Sequence, residues 1–262
     1  MAEAAFNAQN AKAGVRIALW PGAMVPLDAG RALVSVDKLE VHPGGLNYVD
    51  LSTELAIAIS GSTTSTRAGT LFTAPEPLFN HGAVAEGGQL FLYACTPGNP
   101  CRVARAPLLH ATERSAYTFA CNGGWSADLA CAAQLVPGST AGHAVSWNAH
   151  LGRFLSASTP GFSTDVELRS APAPEGPWSD PVVATKAPSA IYAVYLQDEL
   201  QSADGREVVV SWSRATGDFS GEIRLVRVRR RLPHALGRGL GADRRPRSGA
   251  RRRVASRPAP PP

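Results

Sequence analysis

Asp28, Asp198 and Glu199 are the acids that stand beside short apolar runs able to form strands. Two carboxylates brought together can divide general acid and general base work between them. Glu199 is the best single candidate for such a catalytic carboxylate, and Asp28 is the second. Each also reads as an ordinary turn acid, Glu199 ahead of Asp204-Gly205 and Asp28 within Asp-Ala-Gly. His81 and His143 occupy equivalent places, each just before an apolar run, where they either bind ligand hydroxyls or satisfy turn backbone groups. Asn148, Tyr192 and Tyr195 are the further substrate-binding candidates, by hydrogen bonding and stacking. Strand alternation allows only one of Tyr192 and Tyr195 to point inward. The Gly-containing stretch at 61–66 lacks the lysine of a phosphate-binding loop, and no metalloprotease or Ser-hydrolase signature occurs. Neither a cofactor nor a metal site is expected.

These residues need a frame that brings distant positions together, and a weak internal repeat supplies one. Gly30, Gly88, Gly152 and Gly205 each open a unit of apolar strand, turn and second strand. Their spacings of 58, 64 and 53 residues suit four-stranded propeller blades. With 25 Gly and 21 Pro the chain is rich in turns, and no sustained helical periodicity is present. The fold expected from these units is all-β and β-propeller-like, with about four blades present. The innermost strands are expected at 23–27, 82–85, 144–148 and 191–196, with an outer strand at 181–184. Trp20, Trp147, Trp178 and Trp212 fall at similar places in the units, as filling between blades or, for one of them, as a stacking platform for a sugar.

The propeller domain is assigned to residues 15–228, after a disordered segment at 1–14 and before a disordered Arg/Pro-rich tail at 229–262. The net charge of +5 belongs to that tail, which holds eleven Arg and one acid. Positions 1–228 carry 15 basic and 20 acidic residues, so nucleic acid is not an expected partner. The tail reads as an out-of-frame translation, an ordinary disordered tail or a polyanion-binding arm. Cys95 and Cys101 flank Thr-Pro-Gly-Asn-Pro, a turn that places the two cysteines within disulfide reach; Cys121 and Cys131 form the second expected pair. Four free buried thiols are the alternative. Paired cysteines imply an oxidising compartment, yet the N-terminus shows no signal peptide, and no run has transmembrane length. The chain is expected to be a monomer.

One further pattern spans the later units. It runs Ala144-Val-Ser-Trp-Asn-Ala-His-Leu-Gly-Arg-Phe-Leu, Val166-Glu-Leu-Arg-Ser-Ala-Pro and Glu175-Gly-Pro-Trp-Ser, then Tyr195-Leu-Gln-Asp-Glu-Leu, Val208-Val-Val-Ser-Trp-Ser and Arg224-Leu-Val-Arg-Val. Together these segments resemble the domain-of-unknown-function (DUF) 4185 family of bacterial five-bladed propellers over roughly residues 15–228. The resemblance implies a glycoside hydrolase-like protein acting on a polysaccharide or oligosaccharide, since a branch of the family is known for endo-acting cleavage of D-arabinan. It also implies an extracellular or periplasmic location. The chemistry would then need two carboxylates flanking the scissile bond. Two departures stand out. The Asp-Gly segment and Phe-Gly-Asp-Thr-like strand of the family's first blade are absent, so the resemblance implies a five-bladed β-propeller-like ring with about four blades present and the N-terminal blade missing; and Gln197-Asp-Glu-Leu stands where the family tends to show His-Pro-Glu-Leu. Glu199 keeps its place in that motif. A non-catalytic glycan-binding or interaction propeller and an inactive fragment of a frameshifted gene are the alternatives.

Overall fold

Strand accounts for 55% of the chain and helix for 11%, as the turn-rich composition requires. The computed structural model describes residues 2–96, 99–138, 143–161, 163–217 and 220–229. The expected tail from 230 onward lies outside the described residues.

Four antiparallel sheets follow one another along the chain in a four-bladed propeller arrangement. The first blade is β1 (Arg16–Asp28), β2 (Arg31–Val41), β3 (Tyr48–Ile59) and β4 (Ser65–Thr73). The second is β5 (Gly82–Glu86), β6 (Gln89–Ala94), β7 (Arg102–Pro107), β8 (Thr118–Cys121) and β9 (Gly124–Ser126). The third is β10 (Ala144–Asn148), β11 (Arg153–Ser158), β12 (Asp165–Ala171) and β13 (Val182–Lys186). The fourth is β14 (Tyr192–Leu196), β15 (Glu207–Gly217) and β16 (Ser220–Arg229). The repeat glycines sit in the hairpin between the first and second strand of each blade. Gly88, Gly152 and Gly205 have φ of +74°, +60° and +69°, which a side chain would strain.

Stacked blades bury their middle strands on both faces, so β6 and β11 are apolar or small nearly throughout. Each contact between successive blades has its own core. Leu55, Phe72, Phe79, Leu92, Tyr117 and Phe119 fill the space between the first and second blades, with the Phe72 and Phe79 rings 4.6 Å apart. Val84, Phe91, Tyr93, Val103, Val145 and Phe154 fill the second contact. Leu155, Leu168, Val194, Val208, Val210 and Trp212 fill the third. Among the described residues no such cluster joins the fourth blade to the first. Trp212 is thus a core residue, whereas Trp20 and Trp147 remain partly exposed.

Both expected disulfides are formed. Cys95–Cys101 closes the β6–β7 hairpin, and Cys121–Cys131 ties β8 to the short turn Leu129–Cys131. No described helix is long and apolar enough to cross a membrane.

The expectation of disorder over 1–14 does not match the structure. Residues Ala2–Asn10 form α1, which docks on the first blade. Its Glu3 carboxylate meets Lys38 at 2.9 Å and Arg67 at 2.8 Å. Asn7 mimics a strand partner, accepting from the Ile17 N–H at 2.6 Å and donating to the Ile17 carbonyl at 3.2 Å. The composition of this segment hid the helix, because its order comes from these tertiary ties.

Candidate functional site

A cleft of about 690 Å³ is lined by the first, second and fourth blades and by the connection between β4 and β5. β1 contributes Trp20, β2 Asp37, β3 Tyr48 and Asp50, the segment before β5 Asn80 and His81, and β14 Tyr192 and Tyr195. The walls are therefore aromatic and the floor is acidic and polar.

Asp37 and Asp50 owe their meeting to a β-bulge. Along β2 and β3, Asp37 pairs with Thr53 and Lys38 with Ser52, but Leu39 pairs with Asp50, which leaves Leu51 as the extra residue. A regular ladder would set Leu51 opposite Leu39 and turn Asp50 to the other face. The inserted residue moves Asp50 onto the face of Asp37. The Asp50 carboxyl and the Asn80 side chain both act on the Asp37 carboxyl. Burial, followed by the charge of Asp50, pushes the Asp37 carboxyl up to about 7. Asp37 Oδ1 and Asn80 Oδ1 are buried without a hydrogen-bond partner among the described residues. Near neutral pH, Asp37 is about half protonated and so has a proton to give.

A second irregularity shapes the aromatic wall. Ala193 has φ +54°, and the β14–β15 register shifts between Tyr192 and Tyr195. Strict alternation is broken, so both tyrosines line the cleft rather than one. Such a left-handed conformation is uncommon for a residue with a Cβ. Burial holds the Tyr48 and Tyr195 hydroxyls above the usual phenol range, which keeps them neutral donors. Trp20 meets Tyr48 edge-on at 5.0 Å.

The other expected site residues are distributed unevenly. His81 lines the cleft; its Nδ1 accepts from the Cys95 N–H at 3.4 Å, and burial lowers its pKa. His143 is 1% exposed and lies outside the cleft lining. Asn148 is buried away from the cleft, where it donates to the Gly205 carbonyl at 2.8 Å and accepts from the Leu151 N–H at 2.9 Å. Asp28 is a hairpin residue that accepts from the Gly30 N–H at 3.0 Å and from Arg31 at 2.7 Å; the Arg31 bond, then the Gly30 bond, lowers its pKa. Glu199 is exposed in the turn Asp198–Leu200 and does not line the cleft. Its neighbour Asp198 is the tuned member of that turn. Crowding by protein atoms pushes its carboxyl up to about 6, opposed by a hydrogen bond from Ser146 of β10, although part of its surface still meets solvent.

Asp37, Asp50, Asn80 and Tyr48 escape a search confined to innermost strands, because they lie on the second and third strands or in a connection. One signal was available: Asp37 interrupts the apolar run Ala-Leu-Val-Ser-Val of β2.

Residues 59–217 match the family described as "Domain of unknown function (DUF4185)". The match begins after Asp37 and Asp50 and takes in β4, the second and third blades, and β14 and β15 of the fourth. No curated protein matches the sequence. Among solved structures, a candidate hydrolase from Bacteroides ovatus ATCC 8483 superposes with a TM-score of 0.60 at 16% identity, covering 78% of this chain and 56% of its own. The α-L-arabinofuranosidase CtGH43 from Clostridium thermocellum ATCC 27405 gives 0.56 at 15% identity, covering 80% and 68%. The chain thus spans little more than half the length of the Bacteroides protein. At these identities the likeness concerns the fold.

Proposed function

The chain belongs to the DUF4185 family, and from that premise we propose that its cleft binds a polysaccharide or oligosaccharide and that Asp37 donates a proton to a glycosidic oxygen there. One observation carries this reading: a carboxyl with a pKa of about 7 sits in a cleft walled by Trp20, Tyr48, Tyr192 and Tyr195. Aromatic faces suit the apolar faces of sugar rings, with polar groups between them to orient hydroxyls. A general acid works best when its pKa lies near the working pH. An arabinofuranosidase of the same fold supports a glycan as ligand. The two disulfides support an exported location.

Asp50 has a different role from Asp37. The carboxyls of retaining glycosidases stand about 5–5.5 Å apart and those of inverting ones about 6.5–9.5 Å. Asp50 lies beside Asp37 on the same face of the sheet and acts on it through its charge, so it tunes the proton affinity of Asp37. The same closeness favours a second reading, in which the cleft holds a glycan without cutting it.

Reducing-end release from arabinan and related glycans, measured beside affinity electrophoresis on the same glycans, separates the two. The catalytic reading expects release by the wild type and loss of release with retained binding in Asp37→Asn. Binding without release by the wild type leaves the second reading standing, and neither binding nor release removes both.

A further inference from the structure

Three donor groups converge from two blades at the edge of the cleft, which Cys95 lines and Cys101 and His143 do not. Cys95 and Cys101 end the β6–β7 hairpin, and His143 opens β10 of the next blade. The two Sγ atoms and a His143 ring nitrogen lie within 4.8 Å of one another, and all three residues are buried. Neither His143 nitrogen has a hydrogen-bond partner among the described residues. That is unusual for a buried imidazole, which normally finds a partner for its N–H. A neutral imidazole so placed offers the lone pair of one nitrogen for coordination.

We propose that Cys95, Cys101 and His143 form a redox-gated site for a thiophilic divalent cation of the zinc type, shut by the disulfide and opened by its reduction. Two electrons and two protons convert the disulfide to two thiols, with a thiol or phosphine reductant as the electron source. The cation then displaces the two thiol protons and takes the imidazole nitrogen as its third ligand. Donors around a tetrahedral zinc stand about 3.6 Å apart, so once their bond is reduced the sulfurs must part by about 1.5 Å and the imidazole nitrogen approach by no more than about 1 Å. Charge also fits the place. Two thiolates and a neutral imidazole around a dication sum to zero, the one charge state that a pocket walled by Tyr93 and Trp178 accommodates without a counter-ion. Two sulfurs and one nitrogen select a soft or borderline cation over calcium or magnesium. Three protein donors leave a fourth position for water.

The sequence spacing conceals this site. Five residues separate the two cysteines, and the histidine lies far downstream on a different blade. Only the stacking of the second blade on the third brings them together.

Cobalt(II) titration of the full chain tests the proposal. The Cys121→Ser/Cys131→Ser variant serves as the parent, so that thiolate signals come from Cys95 and Cys101 alone. After anaerobic reduction with a phosphine, one equivalent of cobalt is expected to produce thiolate-to-metal charge-transfer bands and intense visible ligand-field bands. The oxidised protein is expected to show neither. His143→Gln is expected to lose the ligand-field bands, with circular dichroism reporting that the β-fold is kept. If the parent folds poorly, reduced wild type is compared with His143→Gln instead, and the same difference in bands is expected. Absence of the bands from the reduced protein overturns the proposal. So do bands of equal intensity and affinity in His143→Gln, which would place cobalt on the thiolates without the imidazole.

Discussion

The backbone N–H of His143 donates to the carbonyl of His81 at 2.6 Å, which joins the second and third blades at the entrance to their innermost strands. The two histidines, equivalent in the repeat, are divided by this bond into different roles. His81 faces the cleft, and His143 is buried behind it.

The same contact makes Gly82 irreplaceable. A Cβ added there would lie 2.0 Å from the His143 carbonyl oxygen. The obstacle is backbone, which cannot swing aside. Gly82→Ala is expected to destabilise the fold by well over the ~1 kcal/mol typical of a point substitution. Urea denaturation measures it, and a change below that figure would contradict the close packing of β5 on β10.

Asp37 should leave a pH signature on stability. Its folded pKa of about 7 lies above the ordinary aspartate value of 3.8, so between those values the folded chain holds a proton that the unfolded chain has released. Stability from this group is therefore full below about pH 4, falls as pH rises and is lost above about 7. Asp37→Asn removes the effect. Thermal melts of variant and wild type are expected to diverge steadily in the variant's favour from pH 4 to pH 7 and to run parallel above it.

His143 works in the opposite sense. Its pKa is lowered to about 3 from 6.5, so the unfolded chain takes up a proton first as pH falls. Stability from the neutral ring is present above about pH 6.5 and declines towards pH 3. His143→Gln is expected to flatten the acid limb of the melting profile over that range, whatever its effect at pH 7.

Asn148 is expected to be a structural residue. Its amide bonds the Gly205 carbonyl and the Leu151 N–H, linking the third and fourth blades. Asn148→Ala should cost roughly 1–3 kcal/mol by stranding those groups. Glycan affinity of the folded fraction should not change, as affinity electrophoresis at low temperature can determine.

The aromatic wall makes the converse prediction. Trp20→Ala and Tyr195→Ala remove partly exposed rings from the cleft. Each should weaken glycan binding by about 1 kcal/mol, roughly fivefold, with little loss of stability. Equal binding by both variants would place the ligand elsewhere.

The blade pattern was legible because a blade is a local object. Gly88, Gly152 and Gly205 mark hairpins whose turn chemistry involves only a few residues, and the strand expected at 144–148 matches β10 residue for residue. The cysteine pairs were legible for the same reason, each closing a short loop. The acid pair was not, because Asp50 reaches Asp37 through a bulge at Leu51 that no composition signals. A similar irregularity at Ala193 defeated the rule that only one of Tyr192 and Tyr195 points inward. Asp28 and Glu199 stand close to inner strands in the sequence. Sequence nearness does not say which way a turn points its acid, and the structure puts both outside the cleft.

Among the described residues three seams of the ring are sealed by oily side chains, and no such cluster fills the fourth, where residues of the first and fourth blades border the cleft. A sugar chain lodged between Trp20 and Tyr48 on one bank and Tyr192 and Tyr195 on the other would act as mortar in that last joint. Occupancy and cohesion then become one property: the filled protein resists heat better than the empty one, and amide exchange slows first in β1 and β14, the two strands that border the gap.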